Sequence, residues 1–243
     1  CLAKGGSAGD YNTIVGGLSN YILQSYSFIG GGTTNCIVEN ASKFSSIVGG
    51  CTNIISGSLS FIGGGFEHQI ITDENAIING RENAIVFGTR SMIGSGNGSI
   101  ISGSNNFIGG GSANIISGSC SFIGGGINNT ACSNGYSVMI GGELNQSNAD
   151  YSVVVGGYKN TGSGDYSIVG GGCNNVVAGC FSFLGGGFGN KNCGNTSVAP
   201  HVLVGGYNNI IDVYASSVIV GGGNNEIDRD GFSSGHVIVG GNS

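Results

Sequence analysis

The sequence predicts an all-β fold, a parallel β-solenoid (β-roll) of about 14–15 short coils. Three observations support this prediction. A motif of two bulky apolar residues, two or three glycines, two variable positions and usually an asparagine recurs about every 15 residues, and 27–35 and 121–129 are near-copies of it. Glycine supplies 52 of the 243 residues with a single proline, which excludes collagen. A content of 39% hydrophobic and 8% charged residues excludes a loosely solvated, disordered chain.

The asparagine defines a column, and positions are counted from it below, so that −6 lies six residues before it. The column comprises Asn20, Asn35, Asn53, Asn83, Asn114, Asn129, Asn145, Asn160, Asn175, Asn190 and Asn209. The same alignment assigns His68, Ser99 and Glu226 to the three remaining repeats. Asparagine tolerates left-handed backbone and its amide can hydrogen-bond to a neighbouring coil, so we expect a structural ladder. A repeated ligand site is the alternative interpretation.

Each coil is predicted to contain two short parallel strands and two glycine corners, because a second glycine often follows four residues after the asparagine. Extra residues at Val38–Phe44, Cys193–Pro200 and Asp212–Asp230 are expected to form loops outside otherwise regular coils. We interpret residues 1–243 as a single solenoid domain. Because the chain begins at Cys1 without methionine and ends within a repeat, we expect it to be a fragment of a longer fibrous protein.

The strand before the glycines carries the strongest packing signal. Position −6 is always Ile, Val, Leu or Met, and positions −7 and −5 point to the opposite face and trade volume, as when Phe28 is followed by Gly30. We therefore expect both faces of this strand to be buried. The predicted core and interface residues are Phe28, Ile29, Phe61, Ile62, Phe107, Ile108, Phe122, Ile123, Phe183 and Leu184.

A coil of about 15 residues encloses only one interior, so the second apolar face needs a separate cover. Further copies of the same chain around a shared axis would supply it, and we expect a homotrimer. A dimer and a lateral sheet of copies are the alternatives. A monomeric solenoid is the main architectural rival.

The run Ser-x-x-Ile/Val-Gly-x-x-Asn-x-Ile-x-Gly resembles the head repeats of trimeric autotransporter adhesins and the glycine-asparagine repeats of phage and other viral fibres. The resemblance covers nearly the whole chain, from about Gly5 to Ser243. It implies a left-handed parallel β-roll with three chains per fibre and a role in surface attachment. Adhesin heads of this kind usually carry more alanine and lack cysteine, which is a departure in this chain.

Eight cysteines are scattered over unrelated positions without metal-binding spacing. We interpret them as free thiols of a protein folded in a reducing cytosol, with a Cys36–Cys51 disulfide as the alternative. A virion fibre made inside a host cell fits this pattern better than an exported adhesin. The expected location is therefore the virion surface, with the extracellular or cell surface as the alternative.

The sequence predicts no cofactor and no catalytic residues, because its three histidines lie in separate coils and no nucleophile motif is present. Two weak metal sites are considered, one formed by acidic residues and one by histidines. The alternative is a polar surface loop for the acidic residues, and solvated or hydrogen-bonded side chains for the histidines. Glu226, Asp228 and Asp230 could offer oxygen ligands to calcium. His201 and His236, both at position −8, could each form a three-histidine ring if that face lined a threefold axis.

The net charge and the small number of basic residues limit the kinds of partner that we expect for this chain. The net charge is −6 and only seven residues are Lys or Arg, so no nucleic-acid partner is expected, and the apolar runs are too short for membrane insertion. The sequence thus favours a non-catalytic structural segment of a viral or tail fibre, a spacer that also attaches to a host receptor or glycan. A cell-surface trimeric adhesin head is the alternative. An ice-binding solenoid is a third hypothesis, which would require a regular threonine column.

Overall fold

The structure is a computed structural model that describes residues 11–23, 25–38, 44–194, 199–228 and 235–242. Within these ranges the chain is an all-β, parallel β-solenoid of about 14 turns, and they contain no helix. The predicted fold class is confirmed at this level. The chain divides into two compact units, Cys1–Cys120 and Ser121–Ser243.

The first unit, hereafter unit 1, contains fourteen short strands. They are β1 (Thr13–Ile14), β2 (Tyr21–Ile22), β3 (Phe28–Ile29), β4 (Cys36–Ile37), β5 (Ser46–Ile47), β6 (Ile54–Ile55), β7 (Phe61–Ile62), β8 (Gln69–Ile70), β9 (Ala76–Ile77), β10 (Ala84–Phe87), β11 (Met92–Ile93), β12 (Ile100–Ser102), β13 (Phe107–Ile108) and β14 (Ile115–Ile116).

The second unit, hereafter unit 2, continues the same alternation of strands and turns. Its strands are β15 (Phe122–Ile123), β16 (Thr130–Ala131), β17 (Val138–Met139), β18 (Gln146–Ser147), β19 (Val153–Val154), β20 (Thr161–Gly162), β21 (Ile168–Val169), β22 (Val176–Val177), β23 (Phe183–Leu184), β24 (Lys191–Asn192), β25 (Val202–Leu203), β26 (Ile210–Ile211), β27 (Val218–Ile219), β28 (Glu226–Ile227) and β29 (Val237–Ile238).

In each unit the odd-numbered strands form one parallel sheet, here called sheet 1, and the even-numbered strands form another, sheet 2. Successive coils stack in register, as where Phe28 and Ile29 pair with Ser46 and Ile47. A third line of isolated parallel bridges runs along position −2, for example from Thr33 to Cys51. These bridges add a third line of parallel pairing to the two sheets that the sequence indicated.

The interior lies between the two sheets and is filled by one residue from each strand, at positions −6 and +2. Position −6 is fully buried from Ile29 to Ile219, as predicted. Its side chains face those of position +2, which is Ile in every described coil of unit 1 but varies in unit 2. The enclosed core is therefore two side chains wide in each coil.

The structure corrects the alignment of one repeat. The residue that continues the asparagine column after Asn209 is Asn225, whose backbone N–H donates to Oδ1 of Asn209 at 3.0 Å. Glu226 is the next residue and points outward, and the buried residue at −6 is Ile219. The three predicted insertions overlap residues 39–43, 195–198 and 229–234, which lie outside the described residues.

Candidate functional site

The asparagine column is a buried hydrogen-bond ladder, and its geometry repeats from coil to coil. Nδ2 of Asn35 donates to the carbonyl oxygen of Gly31 in its own coil and to that of Gly50 in the next, both at 2.9 Å. Oδ1 of Asn35 accepts the backbone N–H of Asn53 at 3.1 Å. Each amide thus holds its own glycine turn closed and connects it to the following coil. Because these amides are enclosed and already bonded, they offer no surface to a ligand.

Substitutions in this column keep the acceptor. Nδ1 of His68 accepts the backbone N–H of Asn83 at 3.2 Å, and Oγ of Ser99 accepts that of Asn114 at 3.4 Å. The side-chain acceptor for the next coil is therefore the common property of the column. The prediction that these asparagines are used because they tolerate a left-handed backbone is wrong. The residue before them has the positive φ instead, as at Thr34 (56°) and Lys159 (54°).

A second buried ladder runs along position −8, and the sequence reasoning did not identify it. Serine is the usual residue, and its hydroxyl accepts a backbone N–H from the next coil, as Ser60 does from Asn75 at 3.3 Å. Asn75 and His201 occupy the same column and accept in the same way. The recurrence of serine eight residues before the asparagine was the available signal.

The strand of sheet 1 has one buried face and one partly exposed face in this single chain. Ile62 and Ile123 are fully buried, whereas Phe61 and Phe122 on the opposite face are 37% and 38% exposed. The expectation that both faces are buried is therefore not met within one chain. We call the outward positions −7 and −5 of sheet 1 the apolar outer face.

The pairing of a large residue at −7 with a small residue at −5 is explained by contacts within the single chain. The ring of Phe61 lies against Gly63, and that of Phe183 lies against Gly185, where an added Cβ would stand 3.4 Å from the ring. The phenylalanine thus covers the backbone that a glycine leaves bare. Most coils without phenylalanine carry Val or Ile at −5, as at Val48, whereas Met92 and Ile168 are followed by glycine there. The trade keeps the height of the outer face even from coil to coil.

Aromatic rings stack along the corner at position −9, which the sequence reasoning also missed. In unit 1, Tyr26 stacks between Tyr11 and Phe44 at centroid distances of 5.1 and 5.0 Å. Unit 2 contains a longer stack, with centroid distances of 5.2, 4.6 and 4.9 Å between Tyr136, Tyr151, Tyr166 and Phe181. The rings cover one another's faces and present their edges outward, so they extend the apolar surface of sheet 1 around the corner.

The weak metal candidates are not brought together. His201 is fully buried, so its ring does not reach the outer surface that a threefold histidine ring would need, while His236 is exposed. Glu226 and Asp228 are exposed, and Asp230 lies outside the described residues. Within the described ranges, no group of three or more His, Cys, Asp or Glu side chains is placed to hold a metal ion.

The described cysteines are free thiols, namely Cys36, Cys51, Cys120, Cys132, Cys173, Cys180 and Cys193. Cys36 is the buried member, and burial raises the pKa of its thiol above the usual value, which disfavours the reactive thiolate. Cys1 lies outside the described residues.

Comparison with protein-family models and with curated protein sequences finds no match for this chain. No helix in the described part of the chain has the length and hydropathy to cross a membrane.

Proposed function

We propose that this chain is a structural segment of a homotrimeric fibre, a spacer whose outward surfaces also attach to a host-cell receptor or glycan. A virion or tail fibre is the form that the free thiols favour, since thiols are retained in a protein folded in a reducing cytosol. A cell-surface adhesin head is the alternative, with the same fold on an exported protein.

The observation that carries the proposal is the composition of the apolar outer face. None of the positions −7 and −5 of the fifteen strands of sheet 1 holds a charged residue, and most hold Val, Ile, Phe or Gly. Side chains there are partly exposed, with Val48 at 50% and Ile140 at 54%. A contiguous apolar surface of this kind marks an interaction site in soluble proteins.

The outward face of sheet 2 provides the contrast. Its strands carry Gln69, Gln146, Lys191 and Glu226 at exposed outward positions. Charged residues are therefore accepted on an outward face that meets water, and the absence of charge from the outer face of sheet 1 favours burial of that face against another surface. A second and third copy of the same chain are the occupants we propose, because each copy presents the same row of outward side chains with the same spacing between coils.

Light scattering on the purified chain under reducing conditions tests the assembly. We expect three times the chain mass of 24.1 kDa. Val48→Lys combined with Val204→Lys places charge on the outer face of each unit and should reduce the mass to that of one chain, because a buried lysine without a partner opposes association. Gln69→Lys, on the outward face of sheet 2, is the matched control and should leave the mass unchanged.

A chain that remains at 24.1 kDa over a wide range of concentrations contradicts the proposal. So does a double lysine variant that keeps the parent's mass. A measured mass of two chains would support self-association through this face but would exclude the threefold arrangement. Circular dichroism on every variant separates lost assembly from lost folding, since the lysine positions are already solvent-exposed in the single chain.

A further inference from the structure

Two histidines occupy equivalent places in the two buried ladders, one in each unit. His68 stands in the asparagine column of unit 1, and His201 stands in the serine column of unit 2. Their exposed fractions are 1% and 0%. His236 takes the serine-column position in the final described coil but is exposed, and every other described residue of these columns is Asn or Ser. His68 and His201 are therefore the buried ionisable members of the ladders.

The hydrogen bonds determine which tautomer each ring must have. Nδ1 of His68 accepts the backbone N–H of Asn83, and Nδ1 of His201 accepts that of Ser217, both at 3.2 Å. An accepting Nδ1 has no proton, so both rings are neutral with the proton on Nε2. A second proton could only go to Nδ1, where it would face the N–H that the ring now accepts.

Neither ring has a charged hydrogen-bond partner. Nε2 of both histidines is buried and makes no hydrogen bond. The Nε2 edges lie against the backbone of Gly65 and Gly194, where an added Cβ would overlap the rings, so the rings have little room to turn. Protonation would therefore place a charge in the interior without a hydrogen-bonded counter-charge.

The charged neighbours are few and on the surface. At the His68 corner, the titratable residues of its own and the following coil are Glu67, Arg81 and Glu82; all three are exposed, and Arg81 pairs with Glu82 at 2.8 Å. Cys51, in the preceding coil, is half-buried. The backbone of Val213 and the carboxylate of Asp212 raise the pKa of the His201 ring. The backbone of Asn83 and Gly80 raises the pKa of the His68 ring. Burial is the larger effect at both rings and lowers the pKa of each below the ordinary 6.5.

We propose that His68 and His201 make the solenoid acid-sensitive, because protonation of Nδ1 breaks the ladder bond to the next coil and opens the two coil junctions that they bridge. The junctions are those between His68 and Asn83 and between His201 and Ser217. The histidines are protonated more readily in the opened chain than in the closed one. Stability is therefore complete above pH 6.5 and falls as the pH drops from 6.5 towards the lowered pKa of the folded state. This response is a property of the single chain and goes beyond the proposed assembly.

Amide hydrogen exchange tests the proposal at about pH 7.5 and about pH 5, compared as protection factors so that the intrinsic pH dependence of exchange cancels. In the full chain, we expect protection of the Asn83 and Ser217 amides to fall on the order of tenfold more than that of ladder amides remote from the histidines. His68→Asn and His201→Ser restore the usual residue of each column. Each should abolish the acid effect at its own junction and leave the other junction acid-sensitive.

His236→Ser is the matched control, because His236 is exposed in the final described coil and should not affect either junction. If one restoring variant does not fold, His68→Ser and His201→Asn replace it, since Ser99 and Asn75 show that both columns accept either residue. Equal acid loss of protection in the parent and in the double restoring variant would overturn the proposal. An acid effect spread evenly over all coils would overturn it as well.

Discussion

The two units build the same coil around different interiors. In unit 1 the inner residue of every sheet 2 strand is isoleucine, at Ile22, Ile37, Ile55, Ile70, Ile85, Ile101 and Ile116. The equivalent residues of unit 2 are Ala131, Ser147, Gly162, Val177, Asn192, Ile211 and Ile227. The hydrogen-bond ladders and glycine turns are nevertheless the same in both. The coil is thus specified by its turns and ladders, and the bulk of the core adjusts the stability of each region.

The difference in stability follows from what the core residues contribute. A fully buried isoleucine side chain contributes roughly 1.5–3 kcal/mol relative to exposure, which glycine and serine do not supply. Buried polar atoms without partners cost about 1–3 kcal/mol each. They occur in both units, for example Oγ of Ser58 in unit 1 and Oδ1 of Asn192 in unit 2, so they do not add to this difference. Because of the isoleucines, we expect unit 2 to open more readily than unit 1.

The largest expected effect concerns the turn that the units share. Gly50 and Gly142 have φ values of 91° and 89°, and an added Cβ would overlap the carbonyl oxygen of the next coil's glycine. Gly50→Ala and Gly142→Ala should each cost several kcal/mol or prevent folding, because both strain and a backbone clash result. Urea denaturation followed by circular dichroism measures the loss.

The neighbouring glycines are the controls for this pair. Gly49 and Gly141 have no atom within 4 Å of an added Cβ and no positive φ, so alanine there should change the free energy of unfolding by less than about 1 kcal/mol. A similar cost at Gly49 and Gly50 would show that the turn does not require the backbone shown.

The next effect distinguishes the two interiors directly. Ile70→Ala in unit 1 should cost about 2–5 kcal/mol, because it leaves a cavity between the sheets. Ser147→Ala, at the same position in unit 2, should cost about 1 kcal/mol, since it loses only the contacts of its hydroxyl with the carbonyl and hydroxyl of Ser152. Unfolding in urea compares the two variants, and equal costs would mean that the interiors are energetically alike.

The smallest expected effect is an increase in the free energy of unfolding. Asn192→Val replaces a buried amide whose Oδ1 has no partner, and should raise the free energy of unfolding by about 1 kcal/mol. The hydrogen bond that Nδ2 of Asn192 donates to the carbonyl of His201 at 3.3 Å is lost and limits the gain. Lys191→Ala, at the adjacent exposed position, is the control and should have little effect. A destabilised Asn192→Val variant would show that the amide is needed there.

Much of the fold could be predicted because each coil repeats the same local signals. The period, the position −6 column and the asparagine column were all readable, and the structure places Ile29, Ile62 and Leu184 in the core as predicted. Glu226 was misassigned because Asn224, Asn225 and Glu226 are consecutive and each could end the motif. Only the bond from Asn225 to Asn209 decides the register.

The surfaces were harder to predict. The pairing of Phe61 with Gly63 predicted that both faces of the strand are buried. In the structure the phenylalanine ring covers the backbone of its own strand instead. A pattern of large and small residues does not distinguish these two cases. The tyrosine stack was missed because Tyr151 and Tyr166 are separated by a full coil and have no sequence neighbour that indicates contact. For His201, the sequence left a metal ring and a solvated or hydrogen-bonded side chain open, and only the contact with Ser217 shows the hydrogen-bonded one.

The sequence by itself determined the architecture of this protein, because a period of about 15 residues with glycine corners and an alternating apolar strand is satisfied by stacked parallel coils. Only the tertiary structure decided which residues the stacking encloses. Whether Ser60, Asn75 or His201 is buried depends on the coil above and the coil below, whose backbone N–H groups need an acceptor. Burial and hydrogen bonding between coils are properties of stacked neighbours, and no single repeat carries them in its own residues.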